Sequence, residues 1–430
     1  MLTRLLLRFS ALGLKFALAI VVARALGFDA IAAYGLAVAA SVIASKVLGL
    51  GFGPELNRRL SKANPLPAID HARRLCVAYG ALYLLLAAAL AIATLNETAA
   101  ALLARFGLPV SLAWSVLLVA LSEHAAFEAN GWLFSLHRPR AASLLLFVRT
   151  GAWAGIACAG LLAGIVQSIE TVFAIWVMTN VLVVIACLRR IDAFAHRVRG
   201  IRFPGSAADS GGIFPVWFHG LPFYAAGVLL VVLQYAERFI AGGQVSADAL
   251  GQYVFAWSIA NAVQTVAFAT VVATAGPRFV RTLAATPGEF LRQVRHAAAA
   301  STAVTLLAST AIAVVYRDLF AFAHELADAG HAALLAVLLG SFVLRAVADV
   351  LWAAAIALRG GGFVLAALTA IALLYLPVAS QLIARDGIMG AALAHLATSV
   401  VVAAMLALSV ARLARRHRHI LPATEPHHAG

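Results

Sequence analysis

LLLRFSALGLKFALAIVVARAL, residues 5–26, decides the fold. A helix rises about 1.5 Å per residue, so crossing a hydrocarbon layer of about 30 Å takes about 20 residues. This stretch supplies them, and Lys15 sits near its middle. No small-residue cleavage site follows and a second apolar run begins almost at once, so the stretch reads as a retained helix and not a signal peptide. A cation held at mid-membrane is expensive and should face an anion or water.

The rest of the chain repeats the pattern. Hydrophobic residues make up 63% of the 430 and charged residues only 12%, and the mean hydropathy is +0.95. These values exclude an ordinary soluble domain. Twelve apolar runs can be placed, near 5–26, 30–52, 75–95, 111–136, 143–163, 171–188, 215–240, 250–275, 297–315, 331–357, 363–383 and 388–410. The expectation is an all-α, polytopic integral membrane protein, with the fourth and tenth runs long enough to tilt or to project from the bilayer.

Lys and Arg set the orientation. With the N-terminus inside, 23 of the 32 fall in cytoplasmic segments, among them Arg58, Arg59, Arg138, Arg140, Arg190 and Arg197. Only Arg24, Arg105, Arg238, Arg317 and Arg385 fall opposite. This bias predicts that both termini are cytoplasmic. The net charge of +14 is dispersed over short juxtamembrane loops, which points to topology and anionic headgroups and away from nucleic acid. Cys76, Cys158 and Cys187 each fall inside a run, without CxxC or zinc-like His spacing, and read as small core residues.

Internal similarity divides the chain. Ala23-Arg24-Ala25 is echoed by Glu237-Arg238-Phe239, Tyr34 by Tyr253, and Gly53-Pro54 by Gly276-Pro277, at offsets of 214, 219 and 223 residues. Two six-helix lobes, 1–200 and 201–410, are expected, followed by a basic cytoplasmic tail over 411–430. The Arg-rich, Gly- and Pro-bearing segment 189–214 is expected to link them. Six is even, so the halves insert the same way up, as pseudo-symmetric parallel repeats around a central cavity, with substrate near the midplane.

Four cations, Lys15, Lys46, Arg149 and Arg345, lie inside apolar runs and point to an anionic, lipid-embedded substrate. Lys46 and Arg149 could instead snorkel to inner headgroups. Asp349 stands one turn after Arg345, so an internal ion pair is expected there, or a gate between lobes. Arg24 and Arg238 close the opposite ends of runs one and seven, as interfacial anchors or, with Glu237, as a periplasmic gate. Glu123, His124 and Glu128 in the fourth run, with Asp349, are the candidates for carrying a proton. With Asn130 the two glutamates could instead bind sodium, or they could merely neutralise nearby cations. His219 and His395 read as hydrogen-bonded core or interface residues, and Pro222, Pro277 and Pro377 with Gly51 and Gly53 as candidates for bends that let the lobes rock. There is no GxxxxGK[ST], HExxH, GxSxG or DxD-type acidic pair, so no ATP site or enzyme centre is expected, nor any cofactor beyond a coupling H+ or Na+.

At this point a family resemblance enters. The segments Leu14-Lys15-Phe16, Ala23-Arg24-Ala25-Leu26-Gly27, Ala33-Tyr34-Gly35-Leu36 and Gly49-Leu50-Gly51-Phe52-Gly53-Pro54-Glu55-Leu56 resemble the opening of Wzx-type O-antigen and polysaccharide flippases. Asp386-Gly387-Ile388-Met389-Gly390 resembles the start of their last helix. These flippases belong to the multidrug/oligosaccharidyl-lipid/polysaccharide exporter superfamily. The resemblance implies ion-driven translocation of an undecaprenyl-diphosphate-linked oligosaccharide across the bacterial inner membrane, for O-antigen or exopolysaccharide synthesis. It implies partners in a polysaccharide polymerase and a chain-length regulator. Lys15 and Lys46 would then meet the diphosphate, with Arg149 receiving it first. The alternative is a multidrug or small-molecule cation antiporter of the same superfamily, which would favour an acid-lined cavity.

Overall fold

Glycine, proline and small polar caps divide the apolar sequence into helices. The computed structural model describes residues 2–62, 64–199, 213–325 and 328–420. Residues 200–212 of the expected linker, including Arg202, the end of the basic tail and the side chain of His219 lie outside what is described. Among the described residues there are fifteen α-helices and no strand: α1 (Leu2–Leu26), α2 (Phe28–Val47), α3 (Gly53–Leu60), α4 (Leu66–Leu95), α5 (Glu97–Ala104), α6 (Val110–Ser135), α7 (Pro139–Phe147), α8 (Trp153–Leu162), α9 (Ile169–Val198), α10 (Ile213–Gly242), α11 (Ala247–Ala267), α12 (Ala273–Ala285), α13 (Phe290–Phe322), α14 (Ala329–Ala357) and α15 (Gly361–Ile420). Single π turns, Val148–Ala152 and Phe268–Val272, join α7 to α8 and α11 to α12.

Local chemistry explains the ends. Gly27, at φ 83° and ψ 178°, breaks α1 from α2 in a conformation that a side chain would strain. Ser168, Ser246 and Asp328 cap α9, α11 and α14 by accepting from the amides of Thr171, Ala249 and His331. Among the described residues eleven helical stretches are long and apolar enough to cross a membrane. The last, Gly361–Arg416, has 56 residues, about 84 Å of helix and too long for one crossing. It breaks at Gly387 (φ 57°, ψ −130°), which makes two crossings and recovers twelve.

The helices differ from the apolar runs mainly by extending past them. α4 starts at Leu66 rather than 75, α9 continues through residues 189–198 of the expected linker, and α13 covers 290–322. Charged residues end an apolar run without ending a helix, because Arg and Lys are good helix formers. The short helices α3 and α5, between crossings, were not expected.

Helices alternate in direction, so α1 begins and α2 ends on the same face. That face collects α3, the α6–α7 turn, the end of α9, the α12–α13 turn and Arg359, and is called the basic face here. Three apolar cores fill the molecule. One, with Leu60, Ile69, Leu133 and Ile191, belongs to the first half alone, and another, with Phe279, Phe290, Leu358 and Leu406, to the second half alone; both lie toward the basic face. The third joins the halves, packing Phe28, Ile31 and Leu36 of α2 against Tyr253, Val254 and Phe255 of α11. It occupies the opposite side, so the halves are packed together there. The repeat is visible in contacts: Ser122 and Asn180 join α6 to α9 at 3.3 Å, and Ser341 and Ser399, each 219 positions later, join α14 to α15 at 2.8 Å.

Candidate substrate cavity

A cavity of about 370 Å³ lies where the shared core ends and the halves part. α1 contributes Lys15, α2 contributes Tyr34 and Gly35, α10 contributes Arg238, and α11 contributes Trp257 and Asn261. Trp257, Ser258, Asn261 and Thr265 recur at three- and four-residue spacing, which puts them on one face of α11. Ser258 and Thr265 return their hydroxyl hydrogens to the carbonyls of Val254 and Asn261. The chain thus places a polar stripe on one face of α11.

Arg238 is the most constrained residue here. It is 1% exposed, Nη1 donates to the Gly35 carbonyl at 2.7 Å, and its guanidinium carbon lies 3.8 Å from the centre of a Trp257 ring. Among the described residues Nε and Nη2 have no hydrogen-bond partner. Lys15 is half-buried, with Nζ 5.7 Å from the centre of a Trp176 ring. Among the described residues neither cation has a carboxylate within ion-pair distance, and no carboxylate lines the cavity. A buried guanidinium with unmet donors costs several kcal/mol unless an anion completes it. Gly35 matters here too, because a Cβ there would collide with Val254; the close approach of α2 and α11 therefore needs glycine.

The other expected cations are elsewhere. Arg149, presented by the π turn, pairs with Glu123 at 2.8 Å. Glu123 also accepts from Trp176 at 3.1 Å and Asn180 at 3.0 Å, and Trp176 stacks on Trp153 at 4.5 Å. Lys46 is exposed on α2. Arg345 corrects an expectation: it donates to Ser399 at 2.9 Å and to the Leu233 carbonyl at 3.1 Å, while Asp349 accepts from Gln264 at 2.8 Å. The i, i+4 pair is not formed, because helix spacing permits the contact but a neighbouring helix offers each side chain a better-aligned partner.

The acids separate as well. Glu123 is fully engaged, whereas Glu128, buried on the same helix, has no ion-pair partner among the described residues and lies against Gly49 and Gly53. His124 bonds Tyr83 at 2.5 Å, and the Asn130 amide is committed to the Ala142 carbonyl at 3.0 Å. Among the described residues no cluster of three or more His, Cys, Asp or Glu could hold a metal. Glu237 is fully buried and accepts from Tyr253 at 3.1 Å and Tyr375 at 3.4 Å. Arg24, by contrast, is exposed and donates to the Phe322 carbonyl at 3.0 Å. Arg24 and Arg238 therefore do not act alike: the first sits at the rim, and the second, expected as an interfacial anchor or gate, is buried between the halves. Toward the basic face, Trp217 and Tyr224 of α10 donate to the carbonyls of Leu50 and Val47 at 2.5 and 2.6 Å, a second contact between the halves.

Sequence reasoning overlooked Trp257, Asn261 and the latch at Trp217. The polar stripe 258, 261, 265 was a usable signal; nothing local marks Trp217.

No family model matches the chain and no curated protein matches its sequence. Solved structures do match its fold. An inward-facing multidrug resistance MATE family transporter of the MOP superfamily superposes with a TM-score of 0.70 at 15% identity, covering 95% of this chain and 96% of the other. The lipid II flippase MurJ in an inward closed conformation gives 0.63 at 11% identity, covering 98% and 91%. An outward-facing MATE family transporter gives 0.54 at 15% identity, covering 95% and 93%. The chain is a multi-pass membrane protein with the fold of these transporters.

Proposed function

We propose that this chain flips an anionic, lipid-linked glycan, of the polyprenyl-diphosphate oligosaccharide class, from the cytoplasmic to the periplasmic leaflet of the bacterial inner membrane by alternating access. One observation carries the reading: Lys15 and Arg238, from opposite halves, line a cavity without a carboxylate. A diphosphate needs such cations to replace its hydration, and Tyr34 and Trp257 offer flat apolar surfaces for sugar rings. A carrier of cationic drugs needs the opposite charge, although several of the matching folds are multidrug transporters. Both termini are placed in the cytoplasm on the charge bias, with H+ or Na+ coupling and a polymerase and chain-length regulator as partners.

The test is reconstitution in proteoliposomes with a fluorescent polyprenyl-diphosphate glycan, read as its protection from a membrane-impermeant quencher. Protein-dependent flipping, lost in Lys15→Ala and Arg238→Gln, supports the proposal. Ethidium efflux without glycan flipping would sink it in favour of the antiporter.

A further inference from the structure

Away from the central cavity, a second concavity of about 410 Å³ opens on the basic face of the first half. Arg138 and Arg140, on either side of Pro139 in the α6–α7 turn, face Arg190 and Arg197 of α9 across it. Arg190 and Arg197 are seven residues apart, two turns along one stripe of the helix, and Phe194 lies between them on the same face. Arg138 stacks its guanidinium over Phe194, 5.0 Å from the ring centre. Leu133, fully buried, closes the floor.

Four guanidiniums therefore converge with no carboxylate in the lining. None has an ion-pair partner among the described residues; the nearby acid Asp192 is taken by Arg73 at 2.7 Å. The first turn of α7 adds backbone donors, since no side chain caps it. Mutual repulsion of four cations around one hollow is unfavourable unless an anion occupies it. Depth decides which anion. Apolar sequence ends at Leu188 on α9, at Leu136 on α6 and resumes at Ala141 on α7, and these three boundaries meet at the hollow. It lies at the headgroup level of the leaflet, not out in solution.

We propose that this hollow binds the phosphate headgroup of an anionic membrane lipid, with Arg190 and Arg197 as the principal ligands and Arg138 and Arg140 closing over it. Guanidinium forks suit phosphate oxygens. The site is independent of the transport reading, because it lies outside the cavity and its occupant need not move. A lipid held there would tie the α6–α7 turn to the end of α9.

The test uses purified full-length protein and native mass spectrometry with phosphatidic acid and phosphatidylcholine of equal chain length. Wild type should retain phosphatidic acid preferentially, and Arg190→Gln/Arg197→Gln should lower that retention about thirtyfold, from about one kcal/mol per basic residue. Arg415→Gln/Arg416→Gln removes equal charge from the same face and should leave retention unchanged, and Arg190→Lys/Arg197→Lys should keep part of it. Equal retention of the two lipids, or equal loss in both glutamine variants, overturns the site. Pyrophosphate displacing phosphatidic acid at comparable concentration overturns the lipid as occupant. Circular dichroism of each variant separates loss of binding from loss of fold.

Discussion

Arg238 reaches across the boundary between the two halves and donates from Nη1 to the backbone carbonyl of Gly35 at 2.7 Å. The bond exists only while α10 and α2 are held together on the side of the shared core. The same guanidinium lies over Trp257 and keeps Nε and Nη2 unmet. One residue thus both reports closure and lines the cavity. If transport opens this side, the Gly35 bond would be lost, an anion in the cavity would supply the missing acceptor, and Arg238 would couple occupancy to the change of conformation.

Replacing Arg238 with Lys keeps the charge and removes the fork. The loss of one charge-assisted hydrogen bond, about 1.5–3 kcal/mol, corresponds to about tenfold or more in affinity. Glycan flipping by Arg238→Lys should fall by that order in the proteoliposome assay, with the protein still inserted; unchanged flipping would remove the fork from substrate binding.

Arg149 and Glu123 form a buried ion pair at 2.8 Å. Removing one partner strands a charge, at about 3–5 kcal/mol. Arg149→Met and Glu123→Gln should each lower the thermal unfolding midpoint in detergent, and the double variant should recover much of the loss. Lys15→Ala should leave that midpoint nearly unchanged and abolish surface polysaccharide. A large drop for Lys15→Ala would make Lys15 structural instead.

This division was only partly legible in the sequence. Twelve crossings and the half-chain repeat follow from apolar length and recurring small residues, which are local properties. Lys15 stood out because mid-membrane position is itself informative. Arg149 and Arg345 looked equivalent to it, yet the first is paired and the second bonded to Ser399, because partners come from α6 and α15 at long sequence separation. Arg238 looked like a terminal anchor, since its place in an apolar run shows distance from the end and not what lies across the halves. The Arg345 and Asp349 spacing suggested a pair that Gln264 and Ser399 pre-empt.

Trp217 and Tyr224 bridge the halves toward the basic face through carbonyls of Leu50 and Val47, and Phe52 stacks on Trp217 at 5.5 Å. Trp217→Ala should open that side. In a background with Cys76, Cys158 and Cys187 replaced by Ala, a cysteine introduced by Ser258→Cys in the cavity should react severalfold faster with a maleimide. An unchanged rate would show that this contact does not limit access.

Glu55 of α3 accepts from Arg58 at 2.8 Å and from Arg59 at 2.6 Å. The Arg58 hydrogen bond first, and then Arg59, hold its carboxyl below the ordinary value of 4.5. A depressed carboxyl stabilises above its unfolded pKa, and the contribution disappears as pH falls through the folded value. Docking of α3 should therefore be pH-independent near neutrality and weaken only in acid below 4.5. Hydrogen exchange of α3 amides across that range should show the loss in wild type and not in Glu55→Gln.

Glu123 and Glu128 lie on one helix but have different freedom to exchange an ion. Glu123 has both oxygens occupied by Arg149, Trp176 and Asn180, so releasing or gaining a proton there would dismantle the pair. Among the described residues Glu128 has no ion-pair partner, and it lies beside the Gly49–Gly53 turn, which joins the latch at Leu50 to α3. If a proton gradient drives transport through the first half, Glu128 is the acid placed to sense it and to pass the change to that turn. Glu128→Gln should then flatten the pH dependence of glycan flipping while folded yield is kept, and Glu123→Gln should reduce folded yield without flattening it. The same pH profile in wild type and Glu128→Gln would move coupling out of the first half, to Glu237 and Asp349.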